Sequence, residues 1–321
     1  MMRADRAVGS VLVVGDANVD LVLTGDVVPR FGQAEQLLDR ADLVLGGSAS
    51  IVASGTARLG APTSLVARVG RDAFGDVVLG ALRGRGVDVS DVLVDECVAT
   101  GISVILSGPD DRAILTSLGT IPTLAGADVN GRLDAWHGPP GVLHIASYFL
   151  QPGLASELPR VLAQAQRRGW TTSLDTNWDP AEGWTGVADV LPHLDVLLPN
   201  RTELRALARA LGAHGDSDEE LARDISRRGP RVVVKDGARG GWSVRGAGDI
   251  ERAPGLAVDV VDTTGAGDSF DAGYLAALAH GVDAERERLG WAAACGSLST
   301  TQAGGTAAQA SFDELRRAIA P

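Results

Sequence analysis

The feature that most constrains the fold of this chain is a repeated alternation of short apolar runs with longer helix-like segments. The apolar runs are rich in β-branched residues, as buried strands are: Val11–Val14, Ser64–Val69, Val142–Ala146, Thr172–Asp175, Val196–Leu198 and Val232–Val234. The segments between them have the length of crossover helices: Ser48–Leu59, Asp76–Arg83, Leu154–Arg168, Val187–Leu191, Thr202–Leu211 and Glu219–Arg228. This alternation predicts an α/β fold with a mostly parallel central sheet and helices on both faces.

One region interrupts the alternation. Gly101–Leu106 and Ala113–Thr116 are strand-like runs, and the turn-forming residues Gly108–Asp111 between them indicate a hairpin. Together with the segment around Gln36–Asp39, the hairpin predicts a small sheet that projects from the body as a lid. A hairpin added to the edge of the main sheet would have the same sequence pattern.

Composition narrows the range of partners. The chain has 321 residues and a net charge of −12, which argues against binding nucleic acid or an anionic membrane surface. An acidic protein can still bind a phosphate through local backbone amides. No apolar run reaches the ~18 residues of a membrane span, and no secretory signal follows the N-terminus, so we expect a cytoplasmic protein. The two cysteines, Cys97 and Cys295, fit a reduced protein, and the five histidines have no zinc-binding spacing.

The most informative motif is Asp262–Phe270, which follows a strand-like Ala257–Val261 and opens a helix predicted to run from about Asp268 to His280. Its glycines allow an anion to approach the backbone amides of Gly265, Ala266 and Gly267, and the helix N-terminus adds positive partial charge. Asp268 stands beside this anion site. A carboxylate is a poor ligand for an anion, so a role as general base explains its presence better than a role in anion binding. A helix-capping role would explain Asp268 alone, but not the whole motif.

This nine-residue motif resembles the second signature of the ribokinase-like (PfkB) family of carbohydrate kinases and matches it at every position. The resemblance implies that Asp268 is the catalytic base, that Gly265, Ala266 and Gly267 form an anion hole for the transferring phosphoryl group, and that Mg-ATP is the donor. It extends along nearly the whole chain. It therefore implies a single domain over residues 1–321, with a lid formed by residues 17–45 and 97–120.

On the acceptor side, the turn after the first strand is similar to the substrate-binding turn of the family. Asn18 and Asp20 match positions that hold sugar hydroxyls, and Asp16 lies in the same turn. A carboxylate suits this role because it accepts hydrogen bonds from two hydroxyls. An Asx-type turn is the ordinary structural alternative. Gly15 is a single glycine here, so the GxGxxG fingerprint of a dinucleotide-binding dehydrogenase is lacking.

The family's first signature is similar to the segment that begins with Gly46 and Gly47, both predicted to contact substrate. This chain departs from the family at Ile51, which stands where an asparagine usually contacts the sugar. Isoleucine cannot form hydrogen bonds, so the departure indicates a less polar pocket or substrate. Arg112, on the predicted hairpin, is placed to reach a substrate or a phosphate if a lid moves.

The donor side is predicted from four segments. Asn200 and Glu203 match an Asn-x-x-Glu motif that positions Mg²⁺, largely through water, although the same spacing is a helix capping box and both roles are compatible. Asp262 and Thr264 match positions used for a monovalent cation such as K⁺. The resemblance implies contacts to the nucleotide from five residues, none of which belongs to a Walker-type loop: Lys235, Gly237, Gly240, Thr264 and Asn177.

These observations predict an ATP-dependent kinase that phosphorylates a hydroxyl of a small sugar or sugar-like substrate. A nucleoside kinase of the same family is one alternative, because an apolar residue at Ile51 would suit a base. A non-catalytic sugar sensor is another, although such a protein would need neither Asp268 nor an anion hole. A lid sheet with free edges would favour pairing of two copies.

Overall fold

The computed structural model describes residues 8–32, 35–108 and 112–320. Its strands are β1 Val11–Val14, β2 Asn18–Gly25, β3 Leu38–Gly46, β4 Thr63–Val66, β5 Arg68–Gly70, β6 Leu93–Asp95, β7 Gly101–Ser107, β8 Arg112–Ser117, β9 Val142–Ile145, β10 Thr171–Leu174, β11 Val196–Leu197, β12 Arg231–Lys235, β13 Gly241–Val244 and β14 Glu251–Ala253. Its helices are α1 Ser48–Arg58, α2 Ala73–Gly84, α3 Gly126–Asp134, α4 Pro152–Arg167, α5 Val187–Val190, α6 Arg201–Ala210, α7 Asp218–Ser226, α8 Ala266–Ala279, α9 Glu285–Ser299 and α10 Phe312–Ala318. Among these described residues, no helix is long and apolar enough to cross a membrane.

The central sheet has eight strands in the order β14-β13-β12-β11-β10-β9-β1-β4. The six strands from β12 to β4 are parallel, and β13 and β14 add an antiparallel edge. The predicted mostly parallel sheet is therefore confirmed. Its parallel strands end at one edge, and that edge is where loops of such folds carry ligand-binding residues.

The short apolar strands arise because both faces of this sheet are buried. In β1, Leu12 and Val14 point into the core formed with helices α3 to α7. Val11 and Val13 point into the opposite core, which includes side chains of α1, α2 and α8. A strand with water on neither face has no need of polar residues, so it appears in the sequence as a continuous apolar run.

A second sheet of four strands, in the order β3-β2-β7-β8, is separate from the central sheet. Strands β7 and β8 pair antiparallel, which confirms the predicted hairpin and excludes the alternative that it extends the edge of the main sheet. Residues 109–111 of the predicted turn lie outside the described residues. The four strands fall within residues 18–46 and 101–117, and the predicted domain limits of 17–45 and 97–120 stay a prediction.

Two predicted strands are wrong in detail. Ser64–Val69 is not one strand, because the chain leaves the central sheet after Val66 and the next residues, β5, pair with β6 instead. Ala257–Val261 forms no strand, although its composition favours one. β-propensity describes how well a side chain fits a paired, half-buried surface. This segment follows β14, the edge strand of the central sheet, and among the described residues it has no partner strand to pair with.

Candidate active site

The parallel strands bring together residues that are far apart in sequence. Asp16 follows β1, Asp175 follows β10, Asn200 follows β11, and Lys235 ends β12. All four are at the carboxyl edge of the central sheet, and the N-terminus of α8 is at the same edge, since Lys235 packs beside Gly267. Residues from separate segments of the sequence therefore lie together at the carboxyl edge of the central sheet.

The turn before α8 has the geometry of an anion-binding site. Gly265 has φ 69°, and a Cβ at this position would lie 2.7 Å from Gly305 Cα, so a side chain would be excluded. The Ala266 amide donates to Thr263 O at 3.2 Å and is partly committed to the turn. Within the described part of the chain, the amides of Gly265 and Gly267 have no backbone acceptor. These two amides, together with the helix dipole, are available to an anion.

Asp268 lies in the first turn of α8, and its side chain is half-buried. Burial raises the pKa of its carboxyl to about 7, and the negative charges of Asp175 and Asp16 add to this effect. A hydrogen bond from Ser48 and the positive charge of Lys235 act in the opposite direction on the same pKa. A carboxyl group with a pKa near neutrality is well matched to general base catalysis at physiological pH.

The single lysine of the chain is held between two buried aspartates. Lys235 Nζ lies 2.6 Å from Asp175 Oδ2 and 3.2 Å from Asp271 Oδ2. Burial alone would lower the pKa of Lys235, but the carboxylates around it, foremost that of Asp175, raise it instead. Oxygens of Asp175, Asp268 and Asp271 lie within 4.8 Å of one another. Carboxylates this close repel one another, and a nearby cation offsets that repulsion. The ammonium group of Lys235 supplies that cation.

The surroundings shift the pKa values of the two aspartates in opposite directions. Burial raises the pKa of Asp271 well above its ordinary value, whereas the charge of Lys235 outweighs burial at Asp175 and lowers its pKa. Asp175 also makes the shorter contact to Lys235 Nζ, so it is the main counter-charge of the ammonium group. Sequence reasoning missed Asp271, although it lies only one residue beyond the motif that ends at Phe270.

A cavity of about 510 Å³ lies beside the N-terminus of α8. Three of the predicted nucleotide-binding residues, Lys235, Gly237 and Gly240, line it, and Thr300 is also part of its wall. Thr264 and Asn177 are not among its lining residues. Most of the remaining lining is apolar: Leu256, Ala257, Val258, Val260, Phe270 and Ala293.

The predicted substrate residues Asn18 and Asp20 lie on one face of β2. Both are buried, and Asn18 Nδ2 donates to Asp20 Oδ1 at 2.9 Å. Burial raises the pKa of Asp20 to about 6, and the charge of Asp16 contributes to the shift. A Cβ at Gly46 would lie 2.1 Å from Asp20 Oδ1, so this glycine is required for Asp20 to pack against β3. Gly47, with φ 87°, then begins the turn into α1.

Two of the residues predicted to contact the substrate, Asp16 and Ile51, make structural contacts within the chain. Asp16 uses Oδ2 to accept from Ser48 N at 3.1 Å and Oδ1 to accept from Ala49 N at 3.0 Å, so its carboxylate caps α1. Ile51 is 3% exposed, and its Cδ1 would be 2.7 Å from a Cβ placed on Gly305. Since Gly305 packs against Gly265, Ile51 supports the anion-hole turn from behind.

The Asn-x-x-Glu motif forms the capping box that its spacing allows. Asn200 Oδ1 accepts from Thr202 N at 2.8 Å and Glu203 N at 2.9 Å, and Glu203 Oε2 accepts from Asn200 N at 2.8 Å. Both lone pairs of Asn200 Oδ1 are used, so this oxygen is not available as a direct metal ligand. Burial raises the pKa of Glu203 to about 7, and the charge of Asp175 adds to the effect.

Arg112 links the small sheet to the anion-hole turn. Its Nη1 donates to Thr264 Oγ1 at 2.6 Å and lies 3.8 Å from Asp262 Oδ1. Asp262 also accepts from Thr264 N and from Gly304 N, both at 2.8 Å. Asp262 and Thr264 are hydrogen-bonded to each other, and both oxygens of the carboxylate already accept hydrogen bonds.

A mostly parallel α/β fold with two unpaired amides at a helix N-terminus, a carboxyl group of raised pKa and an adjacent apolar cavity is an arrangement suited to phosphoryl transfer. The model of the pfkB family carbohydrate kinases matches residues 8–311, and the chain belongs to this family. It is thus a sugar kinase, a phosphotransferase with an alcohol group as acceptor.

Two curated sugar kinases and one solved structure are similar to this chain over most of their length. Fructokinase of Klebsiella pneumoniae is 30% identical over 326 residues, covering 97% of this chain and 99% of that protein. The ATP-dependent ribose-1-phosphate kinase of Halopiger xanaduensis is 32% identical over 304 residues, covering 93% and 94%. A double mutant of fructokinase from Vibrio cholerae O395, solved in its fructose, ADP and potassium ion bound form, has a TM-score of 0.81 at 27% identity, covering 99% of this chain and 100% of that one.

Proposed function

We propose that this protein transfers the γ-phosphoryl group of ATP to a hydroxyl of a small sugar, with Asp268 as the general base. The observation that carries the proposal is the position of Asp268, whose carboxyl has a pKa of about 7 and stands beside the unpaired amides of the anion-hole turn. In-line transfer requires little more than a base for the attacking hydroxyl and fixed positive groups at the phosphoryl oxygens. Gly265 and Gly267 are suited to supply the latter.

The cavity beside α8 supports a nucleotide as the donor. Its apolar wall suits a base, and Gly267 also lines it, so the phosphates could reach the amide and the positive helix dipole at the N-terminus of α8. ATP supplies the phosphoryl group in this reaction, as in the ATP-dependent relative from Halopiger xanaduensis. Glu203, buried near Asp175, suits Mg²⁺ bound through water, because the side-chain oxygen of Asn200 is already used in the cap.

Asn18 and Asp20 are the groups that we propose hold the acceptor. Each offers oxygen atoms to sugar hydroxyls, and both lie on β2, directly after the turn that contains Asp16. The relatives named fructokinase and ribose-1-phosphate kinase make a monosaccharide or its phosphate the favoured class of acceptor. The nucleoside alternative rested on an apolar wall at Ile51, and that side chain is instead buried against Gly305.

A monovalent cation at Asp262 and Thr264 stays a prediction. The Vibrio cholerae fructokinase was solved with a potassium ion, which favours such a site in the family fold. In this chain the guanidinium group of Arg112 already lies 3.8 Å from Asp262 Oδ1. Turnover measured in potassium chloride and in tetramethylammonium chloride at equal ionic strength distinguishes activation by K⁺ from the absence of a requirement.

We also propose that two copies pair through the small sheet, in the cytoplasm, where ATP is available. Strand β8 is an edge strand and is exposed along its whole length, with Ile114 54% and Leu115 59% exposed. Exposed edge strands with apolar side chains are templates for pairing. The molar mass from light scattering tests this proposal, since a monomer at all concentrations would contradict it.

The function is tested by coupled ADP release with Mg-ATP across ketoses, aldoses, sugar phosphates and nucleosides. In the Asp268→Asn variant we expect kcat on the accepted sugar to fall by roughly 10²–10⁴-fold, the usual contribution of a positioned base. Asp283→Asn is the matched control, because Asp283 is exposed beyond the other end of α8. Turnover like that of the wild type in Asp268→Asn would refute the assignment of the base.

A further inference from the structure

Three hydrogen bonds in series connect the backbone after β9 to the proposed base. Ser147 N donates to Asn177 Oδ1 at 2.8 Å, and Asn177 Nδ2 donates to Ser48 Oγ at 3.1 Å. Ser48 Oγ in turn donates to Asp268 Oδ1. The members come from four separate elements, so the series joins the ends of β9 and β10 to the first turns of α1 and α8.

The direction of every bond in this series is fixed. A backbone amide can only donate, so the group of Asn177 facing Ser147 N must be its oxygen, and its NH₂ group must face Ser48. Ser48 Oγ then accepts from Asn177, which leaves its single proton to be donated to Asp268. Among the described residues, Asp268 Oδ2 has no hydrogen-bond partner. One oxygen of the base is therefore held, and the other is open.

The backbone conformations at the start of the series are unusual. Ser147 has φ 55° and Asn177 has φ 53°, and both are non-glycine residues in the left-handed region. Such conformations are uncommon and tend to occur where a side chain or amide must be aimed at a functional group. Here each of them places a hydrogen-bonding group in the series that ends at Asp268.

We propose that Ser48 and Asn177 are positioning residues that orient Asp268, so that Oδ1 is held and Oδ2 faces the acceptor hydroxyl. This inference rests on the proposed function of Asp268 as base. Ser48 keeps its proton throughout. The proton of the acceptor hydroxyl passes to Oδ2 of Asp268, while the hydroxyl oxygen bonds to the γ-phosphorus and the bond to ADP breaks.

The series also affects when the base is ionised. A hydrogen bond from Ser48 favours the charged carboxylate, so its loss raises the pKa of Asp268. The base works only when it is deprotonated, so a higher pKa moves the acidic limb of the kcat/KM profile to higher pH. The other ionisable groups that act on Asp268 stay in place in a Ser48 variant: Asp16, Asp175, Lys235, Glu203 and Asp271.

Ser48→Ala tests the proposal. We expect kcat to fall about tenfold with a smaller change in KM, because a base that is no longer aimed loses productive geometry, and the acidic limb to move to higher pH. Ser48→Thr keeps the hydroxyl and should restore both. Asn177→Gly, which tolerates the left-handed backbone, should reproduce the defect with Ser48 intact.

Ser54→Ala is the matched control. Ser54 is a buried serine of the same helix whose hydroxyl donates to Gln309 Oε1 at 2.7 Å, so its loss should lower stability without moving the acidic limb. The proposal is overturned if Ser48→Ala keeps the wild-type acidic limb of the kcat/KM profile and a kcat within twofold of the wild type. It is also overturned if Ser48→Ala and Ser54→Ala have the same kcat and the same acidic limb. Inactive Asp268→Asn with normal Ser48→Ala would reject the positioning role alone, whereas active Asp268→Asn would reject the proposed function.

Discussion

Replacement of Lys235 by methionine should cost far more stability than the loss of an ordinary ion pair. The ammonium group is 2.6 Å from Asp175 and 3.2 Å from Asp271, and the side chains of these three residues are 10%, 1% and 0% exposed, respectively. Methionine fills a similar volume, so the change removes the charge and leaves most of the packing. The variant therefore keeps a buried carboxylate at Asp175 with no cation beside it.

Removing one partner of a buried ion pair typically costs about 3–5 kcal/mol, because the remaining charge is left desolvated. The pH dependence is set by the pKa shifts. Asp175 has a lowered pKa in the wild type, so its contribution to stability is present above its unfolded pKa and is lost as the pH falls through the lower folded value. Without Lys235, burial raises that pKa, and the folded variant takes up one more proton. The difference in free energy of unfolding between the wild type and the variant should therefore shrink by up to about 1.4 kcal/mol per pH unit on acidification.

Urea unfolding between pH 5 and 8 measures these differences. Arg239→Met is the control, because Arg239 lies in the segment just after β12 and pairs with Asp236 at 2.6 Å while 66% exposed, and surface pairs contribute only about 0–1 kcal/mol. The double variant Lys235→Met with Asp175→Asn should recover much of the loss, since no unpaired charge is left. If Lys235→Met loses less than about 1 kcal/mol of unfolding free energy at pH 8, or if its loss grows on acidification, Asp175 is not left as an unpaired buried charge.

Two further predictions concern the base and the anion hole. In the wild type, kcat/KM should fall about tenfold per pH unit below pH about 7, because Asp268 becomes protonated there; a flat profile down to pH 5 would contradict this. Gly265→Ala should lower kcat by about 10²-fold, the usual effect of a 1 Å displacement at a reacting centre, since a Cβ would lie 2.7 Å from Gly305 Cα at a φ of 69°. Gly212→Ala is its control, because that glycine has φ 60° but open space around it, so only stability should change.

The parts of the site that sequence could predict are local ones. The motif from Asp262 to Phe270 specifies a turn, a helix start and a carboxylate within a few residues, so its structure depends little on the rest of the chain. The same holds for Asn200 and Glu203, where the spacing alone predicts the capping box. The alternation of strands and helices likewise predicts the parallel sheet, because strands that are buried on both faces appear in the sequence as continuous apolar runs.

The features that sequence could not predict depend on contacts between distant segments. Lys235 meets Asp175 and Asp271 across 60 and 36 residues, and only the packing of α8 on the carboxyl edge makes them neighbours. Asp16 and Asp20 look equivalent in the sequence, but one caps α1 and the other lies on β2. The valines of Ala257–Val261 suggest a strand because composition cannot tell whether a pairing partner exists.

The proposed acceptor residues and the proposed base lie on different parts of the molecule, the former on strand β2 and the latter on helix α8. Asn18 and Asp20 lie on the small four-stranded sheet, whereas Asp268 and Lys235 belong to the body, and short connections around Gly15 and Gly47 join the two parts. In the proposed function, the choice of acceptor and the phosphoryl transfer therefore depend on separate parts of the molecule. A lineage of such enzymes can exchange one sugar for another by altering the small sheet, while the transfer chemistry is inherited unchanged.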